Sequence, residues 1–304
     1  MARFALIGNP VSHSISPLLF AAGYDGRYPY ELVEAEDFDA AWRVFLRSYD
    51  AVNVTAPFKE TAFEKAKIRS REAELCEAAN ILVKTSKGVS AWNSDCMGVA
   101  AMLRRLYDSN VTFAGGGNPC NSACCGRAVL VVGAGGAGKA AAVAALSCGM
   151  KVTVINRSLD KALSFAQRLA SRSRTVPVLS GAAMPPLTVL PVSQFSKAFA
   201  EADTVIYTVP VPLWENGTDG LRDFLTEAVS PAEGRPARTP RFIIEANYRE
   251  PSFDAQTLAG LCPDTRLIPG ETWLLMQALT GYPLMTGRNP DSSAMEAVPG
   301  VTGL

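Results

Sequence analysis

Residues 128–146 read "AVLVVGAGGAGKAAAVAAL". Five apolar residues run straight into a glycine turn, and an alanine-rich segment follows. Gly133, Gly135 and Gly138 fall as G-x-G-x-x-G between a predicted strand and a predicted helix. That context gives a weak pattern its force. The first glycine permits a tight turn, the second lets the backbone approach a pyrophosphate, and the third lets helix and strand pack closely. The free N–H groups of a helix start, with its positive dipole end, suit phosphate. The run Gly133 to Gly138, with Gly136 and Ala137 inside it, is therefore a candidate phosphate loop of a dinucleotide-binding unit.

The segment that follows selects the dinucleotide. "KVTVINRSLDKA" ends its strand at Asn156, Arg157 and Ser158, with Lys161 a helical turn on. A guanidinium there suits a ribose 2′-phosphate, which a carboxylate would repel. The expected cofactor is NADP. Asp160 sits where it favours the first helical turn.

Strand–helix alternation extends in both directions from this point. Upstream, "RFALIG", "YPYELVEA" and "AVNVTA" read as strands, with helices over 16–24 and 37–48. Ser14 or Ser16 is the expected N-cap of the first helix. Two short helices are expected between 58 and 78, then a hairpin of "NILVK" and "VSAWN", then a helix over 96–107. Downstream come helices over 136–148 and 158–171, a strand near 174–179 and a helix near 193–201. The strands "TVIYTVP", "RFIIEA" and "TRLIPG" precede a last helix from about 270 to 280. Alternation twice over predicts an α/β chain of two units. "DSNVTFAGGGNPCNSACCG" separates them and reads as a loop insertion over 109–126.

Composition removes several classes of function. The chain of 304 residues is 48% apolar, with 29 basic and 29 acidic residues. A net charge of zero builds no field for nucleic acid. The N-terminus lacks a signal-peptide layout, and the apolar runs are too short to span a bilayer. Seven cysteines without scaffold spacing fit a reduced, cytoplasmic protein. Cys120, Cys124 and Cys125 match no zinc pattern, so no metal is expected, and their loop reads as flexible and open to oxidation.

Catalytic chemistry must come from the first unit, because a cofactor fold does not name a reaction. In "NVTAPFKE", Asn53 and Thr55 end a strand and Lys59 begins a helix. The positive dipole end there disfavours the ammonium charge, as acid–base work requires. "EAANIL" offers Asn80, and "AWNSD" offers Asn93 and Asp95, a carboxylate to orient Lys59. "GNPVSHSISP" carries the only histidine, His13, between serines. A Ser-His-Asp triad would rest on it alone, and hydride transfer needs no serine nucleophile, so His13 reads as scaffold.

The ordered set "GNPVSHSISPLLF", "NVTAPFKE", "WNSD", "GAGGAGKA", "NRSLDKA" and "GETWLLMQALTG" resembles the shikimate dehydrogenase family, which includes quinate relatives. The resemblance covers nearly the whole chain. It implies an N-terminal α/β substrate domain joined to a Rossmann-like domain, with the active site in the cleft between them. On this basis residues 1–100 and 270–304 form the substrate and catalytic domain, and 101–269 the NADP domain. It implies reversible reduction of 3-dehydroshikimate to shikimate, with Lys59 and Asp95 as the catalytic pair. Ser14 and Ser16 would bind the substrate carboxylate. Thr55, Asn80 and Asp95 would bind its hydroxyls, Gln277 on the returning last helix would close over them, and Tyr248 would reach the substrate from the second domain. Gly270 is placed with the cofactor set. The partner is a small molecule, without nucleic acid or membrane, and the chain is expected as a monomer or homodimer. A quinate or aminoshikimate dehydrogenase, or a non-enzymatic NADPH-binding regulator, is the alternative. Phe20, Glu77, Ile81, Val209, Pro212 and "YREP" depart from the family pattern. They leave the catalytic set intact and bear on the fit around the nicotinamide.

Overall fold

The computed structural model describes residues 1–108, 123–175, 184–230, 239–301 and 303–304. In chain order the elements begin β1 (Phe4–Gly8), α1 (Ser16–Gly23), β2 (Tyr30–Glu34), α2 (Phe38–Ser48), β3 (Ala51–Val54) and α3 (Lys59–Lys65). Next come β4 (Ile68–Arg69), α4 (Arg71–Cys76), β5 (Ile81–Thr85), β6 (Gly88–Trp92) and α5 (Ser94–Tyr107). Then follow β7 (Ala128–Val132), α6 (Gly136–Ser147), β8 (Lys151–Ile155), α7 (Leu159–Thr175) and β9 (Thr188–Leu190). A 3₁₀ turn (Val192–Gln194) leads into α8 (Phe195–Glu201), β10 (Thr204–Tyr207), α9 (Gly217–Val229) and β11 (Phe242–Glu245). The chain ends with α10 (Ala255–Leu261), β12 (Arg266–Ile268), α11 (Gly270–Thr286) and α12 (Ser292–Glu296). Two compact units result, Met1–Ala101 with Leu274–Gly303, and Met102–Trp273 with Leu304.

The first unit is built on a mixed sheet of order β2-β1-β3-β5-β6-β4. β1 lies parallel between β2 and β3, and β5 runs antiparallel to β3 and β6. Every residue of β1 is buried. A central strand covered on both faces reads as a continuous apolar run. Ala5 and Ile7 face a core with Phe38, Phe45, Phe58 and Phe63. Phe4, on the alternate side, meets Phe20 at 5.2 Å and Tyr28 at 5.6 Å. α2 starts because the Asp37 side chain accepts the Ala40 N–H, and it buries Phe38, Ala41 and Phe45 at helical spacing.

The second unit is a parallel sheet of order β12-β11-β10-β7-β8-β9. The chain begins in the middle at β7, winds out through β8 and β9, then returns beside β7 at β10. That reversal is the topological switch point where such sheets bind ligands, at the carboxyl ends of β7 and β10. α6 is buried from Gly138 to Leu146, and its alanines let it close onto the sheet.

Several expectations are corrected here. Neither Ser14 nor Ser16 caps α1: the N-cap is Ile15 and makes no side-chain capping bond. Pro17 brings no N–H to the first turn, and Ser14 Oγ instead accepts the Ser16 N–H at 3.2 Å. The strand expected near 174–179 is not at 174–175, because α7 runs on to Thr175; 176–179 lie outside the described residues, and the sheet's edge strand is Thr188–Leu190. Cys124 is buried, with Sγ 3.6 Å from the Leu103 carbonyl, so it is no open thiol. Cys125 is exposed. Cys120 and 109–122 of the insertion lie outside the described residues. Among the described residues, no helix is long and apolar enough to cross a membrane.

Candidate active site

Lys59 opens α3 and Asp95 sits in the first turn of α5. Their side chains meet, Lys59 Nζ to Asp95 Oδ2, at 2.6 Å. Asp95 is 3% exposed and Lys59 19%. Asn93 fixes the start of α5: its Oδ1 accepts the Cys96 N–H at 2.9 Å, and its Nδ2 donates to the Ala78 carbonyl at 2.9 Å. The Ala79 N–H donates to the Lys59 carbonyl at 2.8 Å, tying the start of α3 to the same turn.

Asn80 lies at the entry to β5, next to that turn, and is almost fully buried. Its Oδ1 accepts the Ser94 N–H at 2.7 Å. Its Nδ2 donates to Ser94 Oγ at 3.0 Å and to Gln277 Oε1, on α11, at 3.2 Å. Two residues far apart in sequence, Asn80 and Gln277, are thereby brought together. Ser94 was not among the expected site residues.

Ser14 and Ser16 form a second pair, the Ser14 hydroxyl donating to Ser16 Oγ at 3.0 Å. Ser16 is buried and Ser14 half-buried. The Tyr30 and Tyr282 hydroxyls reach the Ser16 side chain. Burial pushes both phenols well above the ordinary tyrosine range, so they act here as neutral hydrogen-bonding groups. Tyr30 also donates to Asn53 Oδ1 at 2.8 Å, and Asn53 stands beside Asn80. These tyrosines hold the serine pair from behind. They read in sequence as ordinary strand and helix residues, and only their shared partner exposes the role. Thr55 is half-buried at the end of β3. His13 is half-buried in the loop before α1, and the partner of the Ser14 hydroxyl is Ser16, not His13.

In the second unit Gly133 has φ +108° and Gly138 packs on it: a Cβ on Gly138 would lie 2.1 Å from the Gly133 carbonyl oxygen. Gly135 is the N-cap of α6 and makes no side-chain capping bond. A Cβ there would meet nothing within 4 Å. Gly136, Ala137 and Gly138 form the first turn, whose N–H groups suit a phosphate. Asn156 braces this loop: Oδ1 accepts the Ala134 N–H at 3.1 Å and Nδ2 donates to the Ser158 carbonyl at 2.8 Å. Arg157, Ser158 and Lys161 are exposed at the end of β8 and the start of α7. A cleft of about 630 Å³ opens beside Ala137, lined also by Thr208, Val209, Pro210, Ala246, Asn247, Arg249 and Glu250. Tyr248 is half-buried, and Gly270 packs on its backbone: a Cβ on Gly270 would lie 2.5 Å from the Tyr248 nitrogen.

Residues 6–82 match the family model described as the shikimate dehydrogenase substrate binding domain. Residues 96–215 match that of the alanine dehydrogenase/PNT C-terminal domain. A protein of Thermus thermophilus named shikimate dehydrogenase (NADP(+)) is 30% identical over 304 residues, covering 97% of either chain. One of the same name from Shewanella woodyi is 36% identical over 167 residues, 53% of this chain and 56% of that relative. The crystal structure of a Thermus thermophilus shikimate 5-dehydrogenase in complex with NADP(H) and shikimate superposes with a TM-score of 0.69 at 26% identity, over 97% of both chains.

Proposed function

The chain belongs to the shikimate dehydrogenase family, and from that premise we propose that it catalyses the NADP-dependent, reversible reduction of 3-dehydroshikimate to shikimate. The observation that carries this reading is the Lys59–Asp95 pair: Lys59, within the matched substrate domain, is held at 2.6 Å by a nearly buried carboxylate of the same unit.

The second unit fits a dinucleotide. Its uncapped α6 start, the open side of Gly135 and the adjoining cleft leave room for a pyrophosphate against backbone N–H groups. Gly133, Gly135, Gly136, Ala137 and Gly138 would hold it, with Asn156 bracing the loop and Arg157, Ser158 and Lys161 toward a 2′-phosphate. Gly270 remains in the cofactor set. When bound, NADP supplies or accepts the hydride.

The chain's own residues handle the proton and the substrate. In reduction, Lys59 donates a proton to the carbonyl oxygen as it becomes a hydroxyl; in oxidation it takes that proton back. Asp95 holds the ammonium in place and balances its charge. The Ser14 and Ser16 hydroxyls are two donors for the substrate carboxylate. Thr55, Asn80 and Gln277 bind ring hydroxyls, and Tyr248 is kept in the substrate set. We read the protein as cytoplasmic, a monomer or homodimer, with a small-molecule partner.

The test is an absorbance assay of the reduced cofactor, NADPH or NADH, at four pairings of shikimate or quinate with NADP or NAD. Turnover with shikimate and NADP well above the other three is expected. Absence of NADPH formation from shikimate would overturn the reading, and so would faster turnover of quinate.

A further inference from the structure

Glu245 ends β11 with its side chain wholly buried, and no site residue expected from sequence includes it. A buried carboxylate needs donors. Here all of them come from one stretch of backbone. Oε1 accepts the Asn247 N–H at 3.2 Å, Oε2 accepts the Ser252 N–H at 3.0 Å, and the Phe253 N–H adds a third. The chain therefore leaves β11 at Glu245, loops out, and is drawn back onto the same carboxylate. Phe253 anchors the return. It packs edge-on against Tyr207 at 5.3 Å and against Trp214 at 5.2 Å, inside the core of the unit. Between the anchors, Asn247 shapes the tip. Its Oδ1 accepts the Arg249 and Glu250 N–H groups at 3.1 and 3.3 Å, and its Nδ2 donates to the Glu250 carbonyl at 2.7 Å. Ala246, Asn247, Arg249 and Glu250 are half the lining of the cleft beside Ala137.

We infer that Glu245 is a positioning residue: its carboxylate clamps the 246–253 loop in the shape that forms one wall of the cofactor cleft. The inference rests on the reading of that cleft as the NADP site. Only the ionised carboxylate offers every lone pair to these N–H groups; a proton on one oxygen turns an acceptor into a donor that faces N–H. Burial raises the carboxyl to about 7, so the clamp changes state near neutral pH. Tyr207, its register partner on β10, is a titratable neighbour that feels its charge; burial pushes that phenol far above this range and it stays neutral. The loop's Arg249 and Glu250 are exposed.

Two measurements test this. The first is NADPH binding by fluorescence, from pH 6 to pH 8, in the wild type and in Glu245→Gln. The cofactor's own phosphate titrates in this range, and equally in both proteins. Affinity in the wild type should therefore fall more than in the variant on going to pH 6. The expected excess is about tenfold, the value of one charge-assisted hydrogen bond. At pH 8 the variant should bind more weakly than the wild type, while the KM for shikimate holds. Equal pH dependence in both proteins would overturn the inference. The second is amide hydrogen exchange of the wild type alone, which needs neither the variant nor turnover. Protection factors at 247, 252 and 253 should drop between pH 8 and pH 6. Unchanged protection there would overturn the clamp. If wild-type protein shows the exchange change yet forms no NADPH from shikimate, the functional reading fails and the clamp stands.

Discussion

The proton that Lys59 gives up in the proposed reaction has to be returned, and the residue is placed for that cycle. Its side chain keeps 19% exposure while that of its partner Asp95 is almost fully covered. A lysine that still touches water can be recharged, and a covered carboxylate holds it in one position. Lys59→Ala should lose roughly 10²–10⁴-fold in turnover, the usual contribution of a positioned acid–base group. The variant also takes the cation away from a nearly buried carboxylate, so its melting temperature should fall, since breaking a buried ion pair costs up to about 3–5 kcal/mol. Shikimate binding, measured separately by calorimetry, should change far less than turnover. If the variant keeps about a tenth or more of wild-type kcat, the proton moves elsewhere. The serine pair makes a contrasting case. Ser14→Ala and Ser16→Ala should each raise the KM for shikimate by about ten- to a hundredfold, for the loss of one bond to a charged acceptor. The KM for NADP should hold. An unmoved shikimate KM in both would leave the pair to its neighbours Tyr30 and Tyr282. At β8, Arg157→Glu should weaken NADP and spare NAD, because only NADP carries a phosphate for a guanidinium there. Equal losses for both cofactors would show that Arg157 supports the strand end instead.

At the scale of elements, the glycine turn after β7 separates two kinds of constraint. A Cβ at Gly138 would strike the Gly133 backbone at 2.1 Å, so Gly138→Ala must push α6 away from the sheet. Overpacking of this kind costs about 1–3 kcal/mol, and NADP affinity should fall along with stability. Gly135 has open space at the Cβ position and φ −78°, a value any residue adopts. Gly135→Ala should leave the melting temperature alone and still weaken NADP, because the new methyl stands where the pyrophosphate approaches the backbone. Thermal melts with NADP titrations on both variants check the pair. If Gly135→Ala binds NADP like the wild type, the pyrophosphate does not rest on that face. This turn was legible because strand, glycines and helix are contiguous. Elements without such local punctuation were not. α9, α10 and α12 pass unread, although Leu221, Leu225 and Ala228 have helical spacing. The two-residue β4 is set by pairing with β6, which no local pattern encodes. Asn80 was visible in its motif, but its orientation depends on Ser94 and on Gln277, 197 positions away.

For the molecule as a whole, the return of residues 274–303 to the first unit was expected, over 270–304, only through the family resemblance, and at the level of local pattern the same limit applies. It applies also to Glu245, which looks in sequence like any acid at a strand end until three N–H groups close on it. Its burial has a consequence for overall stability that opposes that of the surface acids. Glu31, Asp39 and Asp254 are held below the ordinary carboxylate range by hydrogen bonds from Arg3, Lys65 and Thr257. They contribute stability that is present above that range and lost as pH falls through their depressed values. Glu245 runs the other way. Its folded value of about 7 exceeds the ordinary 4.5, so the native state binds its proton more readily than the unfolded chain does. That contribution is complete below 4.5 and gone once pH has risen through about 7. Its size is on the order of 3 kcal/mol at most. Stability should therefore peak near pH 5 and decline toward pH 8, with the ionised form that clamps the loop being the one that costs the fold. Glu245→Gln removes the titration, so its melting temperature should vary little between pH 5 and pH 8 while the wild type falls. Melting curves at four pH values in one ionic strength decide it. A decline of the same steepness in both proteins would place the titrating group elsewhere in the molecule.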